Sequence, residues 1–224
     1  MSTSAAQRDR PDASLLERCR RIPTATWSDA LDRLDIAGVM DGLVIRSGRS
    51  RVAGPAMTVR EQVGPLGSHA LETFDVGKII TATGRGRVCV VDMDGTEVST
   101  FGGLSARAAV KTGMAGIVID GGCRDLEAIR ASGLFVASRH VTPRSGKRRV
   151  DVVDVGGTVT CAGVSVAAGD CVIADETGIV VVPRDRLEEA LNVAELISGT
   201  DRIFEAELDR GIEFGAVAAK LRHL

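Results

Sequence analysis

Short apolar runs separated by glycine-containing turns dominate the middle of the chain. Residues 87–92, 117–119 and 134–137 are rich in β-branched side chains, which is typical of strands buried on both faces. Helical patterns at 106–112 and 126–131 lie between these runs. The alternation predicts parallel strands joined by right-handed crossovers, so the loops that follow the strands should share one edge of the sheet.

The apolar runs after residue 150 predict a β-rich layer in an antiparallel or mixed arrangement, with strands at 150–155, 158–161, 164–166, 171–175 and 179–182. Earlier in the chain we expect two further strands, at 43–45 and 52–59. Helices are expected at 14–19, at 29–34 with Ser28 as the N-cap, and at 66–75.

The C-terminal region reads as helical. Asp185 should cap a helix over 186–197 and Gly199 should break it, with helical pieces at 201–210 and 216–221. These residues offer little core, so we expect them to form an arm that packs across a subunit boundary. The predicted organisation is a disordered tail over 1–12, a single α/β domain over 13–184 and a C-terminal helical arm over 185–224.

Composition and charge narrow the class of protein. The chain has 224 residues, 44% of them hydrophobic, and a formal net charge of -2. This charge offers no attraction for nucleic acid or an anionic membrane, and no apolar run approaches the roughly 20 residues of a membrane helix. The five cysteines lack zinc-ligand spacing. We therefore predict a cytoplasmic protein with reduced thiols and no nucleic-acid or membrane partner.

Candidate chemistry concentrates in the segment 116–130. Asp120, Gly121 and Gly122 should stop the strand, which places Arg124 and Asp125 where the strand turns into a helix. The Arg124 guanidinium can grip a carboxylate with its planar fork, and Asp125 can bind a hard divalent cation. The alternative is an Arg–Asp pair in a loop, with Asp125 capping the helix that follows.

A second candidate is the glycine turn before the helix at 106–112. Gly102 and Gly103 should present free backbone N–H groups, which favour anions at a helix N-terminus. No Gly-Lys-Ser/Thr follows, and no third glycine is in register, so neither a P-loop nor a dinucleotide fingerprint is present. The alternative is a plain glycine turn that begins the helix.

Several segments resemble a known family: 102–105 and 121–125 first, then 24–31, 52–56, 119–125 and 174–183. The resemblance is to the group that contains the regulators of ribonuclease activity A, which inhibit RNase E, and the class II 4-hydroxy-4-methyl-2-oxoglutarate/4-carboxy-4-hydroxy-2-oxoadipate aldolases. Members are often labelled demethylmenaquinone methyltransferase-like. The resemblance implies a layered β/β/α fold like the swivelling phosphohistidine domain. It also implies a trimer, or a dimer of trimers, with sites between subunits.

The resemblance assigns roles to particular residues. In the aldolases the arginine binds the substrate's carboxylate and keto group, and the aspartate holds Mg²⁺ or Mn²⁺ largely through waters. Carried over, these are Arg124 and Asp125. The pyruvate site is completed by backbone N–H groups of the glycine loop, which here spans Gly102, Gly103, Leu104 and Ser105.

Two positions depart from the aldolase pattern. The acidic residue after the first loop glycine is replaced by Gly103, and the acidic residue three positions after the metal aspartate is replaced by Ala128, with Glu127 one residue earlier. A glutamate from the neighbouring subunit's C-terminal region also helps to hold metal waters in these enzymes. Asp201 and Glu205 are the candidates here.

The chemistry of the residues agrees with a metal-dependent lyase that cleaves a 2-keto acid. A divalent cation and Arg124 would stabilise the enolate of pyruvate, and no lysine lies near either loop except Lys111, which disfavours a Schiff base. Proton transfer would fall to a metal-bound water, steered by Asp120 or an acidic residue of the arm; Asp120 can equally be a turn former. The predicted reactions are aldol cleavage to pyruvate, with oxaloacetate decarboxylation as a side activity. The alternative is a non-catalytic RNase E-binding inhibitor.

Overall fold

The computed structural model describes residues 12–48 and 51–221. The helices in these ranges are α1 Ala13–Arg21, α2 Thr24–Arg33, α3 Val76–Thr83, α4 Gly103–Thr112, α5 Leu126–Ser132, α6 Leu187–Asp209 and α7 Phe214–Leu221. The strands are β1 Val44–Ser47, β2 Val52–Val63, β3 Val88–Asp92, β4 Ser99–Phe101, β5 Gly116–Cys123, β6 Phe135–Val141, β7 Val150–Val155, β8 Val159–Cys161, β9 Val164–Val166, β10 Cys171–Ala174 and β11 Ile179–Val182. In this part of the chain no helix is both long and apolar enough to cross a membrane.

One mixed sheet organises the molecule. Its strands follow the order β1-β6-β5-β3-β2-β10-β11, with β4 beside β5 and β7 beside β2, while β8 and β9 form a separate hairpin. The central pairs β2–β3, β3–β5 and β5–β6 are parallel, and the flanking pairs are antiparallel. The predicted parallel unit with its two helical crossovers is therefore confirmed, and the loops after β3 and β5 lie at the same edge.

Strand β2 joins the two halves of this sheet. Its first residues pair with β10, its middle pairs with β3 and its last residues pair with β7. A register shift between Arg60 and Glu61 marks the passage from β3 to β7 along the strand, as an irregularity bends and twists a ladder.

Alternating side chains separate the cores on the two faces of the sheet. In β3, Cys89 and Val91 face a core that contains buried residues of α3, α4 and α5. Val88 and Val90 face a second core, shared with the β8–β9 hairpin, β10 and β11. A third core lies beyond β10 and β11, against α1, α2 and α6. This layering confirms the predicted α/β class and its layered β/β/α architecture.

The C-terminal helix differs from the prediction. α6 runs unbroken through Gly199, Asp185 lies in a short 3₁₀ turn before it, and the helix N-cap position is Arg186. Five residues of its first half are buried with α1 and α2, so the expectation of little core is wrong there: Leu187, Ala190, Leu191, Ala194 and Ile197. Burial of this stripe outweighs the cost of about 1 kcal/mol that a glycine imposes on a helix.

Helices α2 and α3 also begin at other residues than predicted. Helix α2 begins at Thr24 after Pro23, so Ser28 lies inside the helix and is not its N-cap. The segment 66–75 contains no helix; α3 follows it, with the Asp75 carboxylate accepting the Lys78 N–H at 2.8 Å. Ile79 and Ile80 of α3 are buried, and this tertiary burial overrides their modest helix propensity. Of the predicted tail, residues 1–11 lie outside the described residues, whereas Asp12 caps α1.

Candidate functional site

Arg124 and Asp125 lie where β5 ends and α5 begins. β5 continues to Cys123, so Gly121 and Gly122 do not stop the strand as predicted. Both positions need glycine because there is no room for a side chain. A Cβ on Gly121 would lie 2.3 Å from the Met93 sulfur, and one on Gly122 would lie 2.6 Å from the Val98 carbonyl oxygen. The loop after β3 therefore packs directly on the end of β5, which leads into the Arg124–Asp125 pair.

The Asp125 carboxylate serves the neighbouring helix and not its own. Asp125 occupies the N-cap position of α5 but makes no side-chain cap hydrogen bond there, so the capping expected in the alternative is wrong, whereas its Arg124–Asp125 pair is present. The Gly103 N–H, at the start of α4, donates to Asp125 Oδ2 at 3.3 Å. The carboxylate thus lies at the positive end of the α4 dipole, which links the two loops that were predicted separately.

Close approach explains the two loop glycines. Gly102 and Gly103 are buried, and Gly102 has an extended backbone with φ −145°. A Cβ on Gly102 would lie 2.8 Å from Asp125 Oδ2 and 3.1 Å from Arg124 Cγ. The structure therefore brings Gly102, Gly103, Arg124 and Asp125 into one cluster, as the shared sheet edge predicted.

The first turn of α4 presents its backbone donors at this cluster. The Ala106 N–H donates to the Gly102 carbonyl at 2.9 Å as the first turn closes. The N–H groups of Gly103, Leu104 and Ser105 precede that bond and have no carbonyl within the helix to receive them. Leu104 is 83% exposed. Because its side chain is apolar, only its backbone N–H is suited to bind an anion.

The guanidinium and carboxylate of the pair remain open to solvent. Arg124 Nε lies 3.8 Å from Asp125 Oδ2, and the side chains are 39% and 52% exposed, respectively. An exposed ion pair contributes at most about 1 kcal/mol to stability. Because neither charge is buried or tightly paired, both can bind a ligand at little cost in stability.

The site offers one carboxylate to a divalent cation. Among the described residues, no group of three or more His, Cys, Asp or Glu side chains is arranged to hold a metal. The two departures from the aldolase pattern lie against each other, since a Cβ on Gly103 would be 2.5 Å from the Cβ of Ala128. Mg²⁺ is commonly held by one or two carboxylates together with waters and substrate oxygens. Asp125 fits one position of such a site.

Asp120 is fully engaged elsewhere. Arg139 Nε donates to its Oδ1 at 2.5 Å, and the Ala162 N–H, in the β8–β9 turn, donates to its Oδ2 at 2.7 Å. The carboxylate therefore fastens β5 to β6 and to the hairpin, which favours a structural role over proton transfer. Cys123 is fully buried and its thiol contacts Ser138 Oγ at 3.3 Å; burial raises the pKa of this thiol and disfavours a nucleophilic role.

The acidic candidates of the C-terminal helix lie in another layer. Asp201 and Glu205 belong to α6, which packs in the core of α1 and α2, whereas Arg124 and Asp125 adjoin α4 and α5. Their contribution to the site from a neighbouring subunit stays a prediction. Lys111 lies eight residues along α4 from Gly103, about 12 Å by helical rise.

Sequence reasoning missed a buried acid beside this region. Glu61 is 5% exposed, its Oε1 accepts the Thr100 hydroxyl at 2.7 Å, and burial raises its pKa to about 7. A signal was present: Glu61 alternates with Val59 and Val63 along β2, and these three positions share the apolar face of the strand. Strand β4, which carries Thr100, has only 3 residues. This length is too short for an alternation of apolar and polar positions to predict a strand.

Known proteins match this chain over most of its length. It is 28% identical to the protein DlpA of Legionella pneumophila across 93% of the chain, although it spans only 33% of DlpA's length. It is 36% identical to a Deinococcus radiodurans protein named "Putative 4-hydroxy-4-methyl-2-oxoglutarate aldolase", covering 72% of this chain and 94% of that protein. The crystal structure of Streptomyces coelicolor RraAS2, described as an unusual member of the RNase ES inhibitor RraA protein family, superposes with a TM-score of 0.74. It is 27% identical and covers 90% of this chain and 98% of RraAS2.

The sequence profile described as RraA-like, Aldolase/RraA, matches residues 24–181. This range begins with helix α2, includes both loops of the candidate site and ends in strand β11. The chain therefore belongs to the RraA-like (Aldolase/RraA) family.

Proposed function

We propose that this protein is a divalent-metal-dependent lyase that cleaves a 2-keto acid to release pyruvate. The observation that carries the proposal is the cluster at one sheet edge: the Arg124 guanidinium and Asp125 carboxylate lie against the N-terminus of α4, and both are open to solvent. The aldolase name of the Deinococcus relative supports the same reaction class.

The residues divide the work of binding. Arg124 pairs with the substrate carboxylate through its two-donor fork, and the N–H groups of Leu104 and Ser105 donate to its oxygens, while the Gly103 N–H orients the Asp125 carboxylate. Asp125 would hold a divalent cation, Mg²⁺ or Mn²⁺, which would supply positive charge for the enolate that develops during cleavage. With both contacts made, the substrate's 2-keto acid end is fixed at the start of α4.

The reaction shifts electrons toward that fixed end. In aldol cleavage a solvent water takes the proton of the 4-hydroxyl, the bond between C3 and C4 breaks, and the electron pair of that bond passes to the pyruvate fragment as an enolate, whose C3 then takes the proton back from water. Arg124 and the α4 dipole stabilise the developing negative charge. Protonation of the enolate carbon completes pyruvate. With oxaloacetate the same electron shift releases CO₂ in place of the second keto acid.

The proposal is tested by measuring pyruvate release from purified protein. We expect release from 4-hydroxy-4-methyl-2-oxoglutarate or oxaloacetate with Mg²⁺ or Mn²⁺, and loss of release with EDTA. A control reaction without protein measures the decarboxylation of oxaloacetate that the metal alone catalyses. Release from neither substrate, with or without metal, would refute the proposal.

A second candidate function is inhibition of an RNase of the RNase E type. Two observations favour it. Gly103 and Ala128, which pack against each other, stand at two positions that are acidic in the aldolase pattern, and the fold is similar to that of RraAS2. A pull-down with the nuclease and an RNA-cleavage assay discriminate between the functions. Nuclease inhibition without pyruvate release would establish the second in place of the first.

A further inference from the structure

Glu61 is a buried acid with one oxygen left over. It lies near the end of β2, where Thr100 Oγ1 donates to its Oε1 at 2.7 Å. Its Oε2 has no hydrogen-bond partner among the described residues and is shielded from solvent. Buried carboxyl oxygens are normally satisfied, and an exception calls for an explanation in the function of the site.

Burying a carboxyl group at this core position costs free energy. Val59 and Val63, on the same face of β2, contribute apolar side chains to the core of α3, α4 and α5. Leucine at position 61 together with valine at position 100 would continue this face and bury no unsatisfied polar atom, and replacing both partners of a buried polar pair by apolar side chains is often neutral or stabilising. The fold therefore gains nothing from the Glu61–Thr100 pair that an apolar pair would not supply.

What the carboxylate does contact is the strand that leads into the candidate site. Thr100 is the middle residue of β4. The carbonyl of the next residue, Phe101, accepts the Arg124 N–H at 2.9 Å, and Gly102 and Gly103 follow directly. Gly103 in turn donates to Asp125. A displacement of Thr100 would thus move the backbone of Arg124 and the start of α4 together.

We propose that Glu61 is a positioning residue of the candidate site: through Thr100 it fixes β4, and β4 fixes Arg124 and the N-terminus of α4 relative to each other. This inference rests on the proposed function, because it explains how the substrate carboxylate meets both the guanidinium and the helix donors in one geometry. Glu61 itself touches none of the reacting atoms.

The test cuts the link from either side with variants that keep the core filled. Glu61→Leu and Thr100→Val each remove the hydrogen bond, and each should lower kcat/KM for oxaloacetate with Mg²⁺ about tenfold, the lower range for a hydrogen bond to a charged group. The double variant should be no worse than either single one. Thr100→Ser and Glu61→Gln, which keep donor and acceptor, should restore most of the loss.

Thr83→Val is the matched control. Thr83 is also fully buried in the core of α3, and its hydroxyl donates to the Ile79 carbonyl at 2.8 Å within the helix. This variant loses a buried threonine hydroxyl without touching β4, so its kcat/KM should equal that of wild type. The double variant Glu61→Leu/Thr100→Val leaves no buried hydroxyl without a partner. Its unfolding midpoint should be no lower than that of wild type, which separates positioning from support of the fold.

A second measurement is independent of turnover. Hydrogen exchange of peptides over 99–105 and 123–126 should be faster in Glu61→Leu and Thr100→Val than in wild type, and unchanged in Thr83→Val. If wild type releases no pyruvate, the proposed function fails while this measurement still decides the link. Wild-type exchange in both peptides, or wild-type kcat/KM in the folded Thr100→Val variant, would overturn the inference.

Discussion

Asp125 adopts a left-handed backbone conformation, with φ 57° and ψ 47°. L-residues other than glycine avoid this region, although aspartate and asparagine tolerate it better than most. Such strain is retained where the surrounding structure fixes it, often at a functional site. Because asparagine accepts the same backbone angles, Asp125→Asn changes the charge and leaves the turn intact.

The roles of the two site residues can therefore be separated by substitution. Asp125→Asn should lose metal dependence together with activity, because a neutral amide is a poor replacement for an anionic ligand. Arg124→Lys should keep metal affinity but lose roughly ten- to hundredfold in turnover, since a point donor replaces the fork. Calorimetric titration with Mg²⁺ beside steady-state kinetics measures both effects.

Arg107→Lys is the control, because Arg107 is an exposed arginine of α4 outside the cluster. If Arg124 and Asp125 form only a structural pair, both variants should lower thermal stability by at most about 1 kcal/mol and leave turnover nearly intact. Mg²⁺ affinity of Asp125→Asn equal to that of wild type would show that the metal assignment is wrong.

Glu61 should make stability depend on pH. Burial raises its pKa from 4.5 to about 7, so the folded state holds this proton more tightly than the unfolded state. The associated stability is fully present below pH 4.5 and is lost as pH rises through 7. Glu61→Gln should therefore remove about 3 kcal/mol of the fall in unfolding free energy between pH 4.5 and 7.5.

Urea unfolding at several pH values, with the exposed Glu72→Gln as control, measures this effect. A difference between wild type and Glu61→Gln that does not change between pH 5 and 7.5 would contradict a raised pKa at this carboxyl.

At the scale of elements, helices α4 and α5 meet through small residues. Gly103 packs against Ala128, where a Cβ on Gly103 would lie 2.5 Å from the Ala128 Cβ. α4 begins at Gly103, which donates to Asp125, and α5 begins directly after Asp125. Their spacing therefore sets the distance between the α4 donors and the guanidinium.

Gly103→Ala should force these helices apart and cost about 1–3 kcal/mol of stability, as overpacking does, together with a loss of turnover. Adding Ala128→Gly should relieve the contact and recover activity, because the remaining neighbours of that Cβ are at 3.5 Å or more. Ala128→Gly alone should cost about 1 kcal/mol in helix propensity. Urea unfolding and kinetics of all three variants decide the matter, and losses that simply add in the double variant would contradict it.

The sequence reveals elements whose stability is local. β3, β5, β6, α4 and α5 follow from apolar period, and their shared edge follows from crossover rules. That is why Gly102, Gly103, Arg124 and Asp125 could be expected to meet. α3 and the unbroken α6 could not be predicted, because burial of Ile79 and Ile80 and of the α6 stripe outweighs local propensity. The Glu61–Thr100 contact escaped because it joins residues distant in sequence through a three-residue strand.

At the scale of the whole molecule, apolar side chains remain exposed on the C-terminal helices. The first half of α6 is covered by α1 and α2, but Leu196, Ile203 and Phe214 are 67%, 54% and 58% exposed. Leu104, beside the candidate site, is 83% exposed. Exposed apolar side chains on the C-terminal helices are what a subunit interface would cover. We expect the second half of the arm to cover a neighbouring subunit.

Light scattering should therefore show an oligomer at micromolar concentration, and the family resemblance implies a trimer or a dimer of trimers. Ile203→Glu should weaken assembly, because it places a charge in an apolar contact. Asn192→Glu, at an exposed polar position of the same helix, should leave the assembly unchanged. A monomeric wild type would refute the expectation, and with it the contribution of Asp201 or Glu205 from a neighbour.

Strand β2 also dictates when the sheet can form during synthesis on the ribosome. Its first residues pair with 171–174 and its last with 150–155, roughly a hundred positions further along the chain. Contacts of such long range close late, and their loop-closure entropy slows folding. Until β7 leaves the exit tunnel, both ends of β2 stay unpaired, and its first residues stay unpaired until β10 follows. We therefore expect the nascent chain to be most open to association with other chains before β7 emerges.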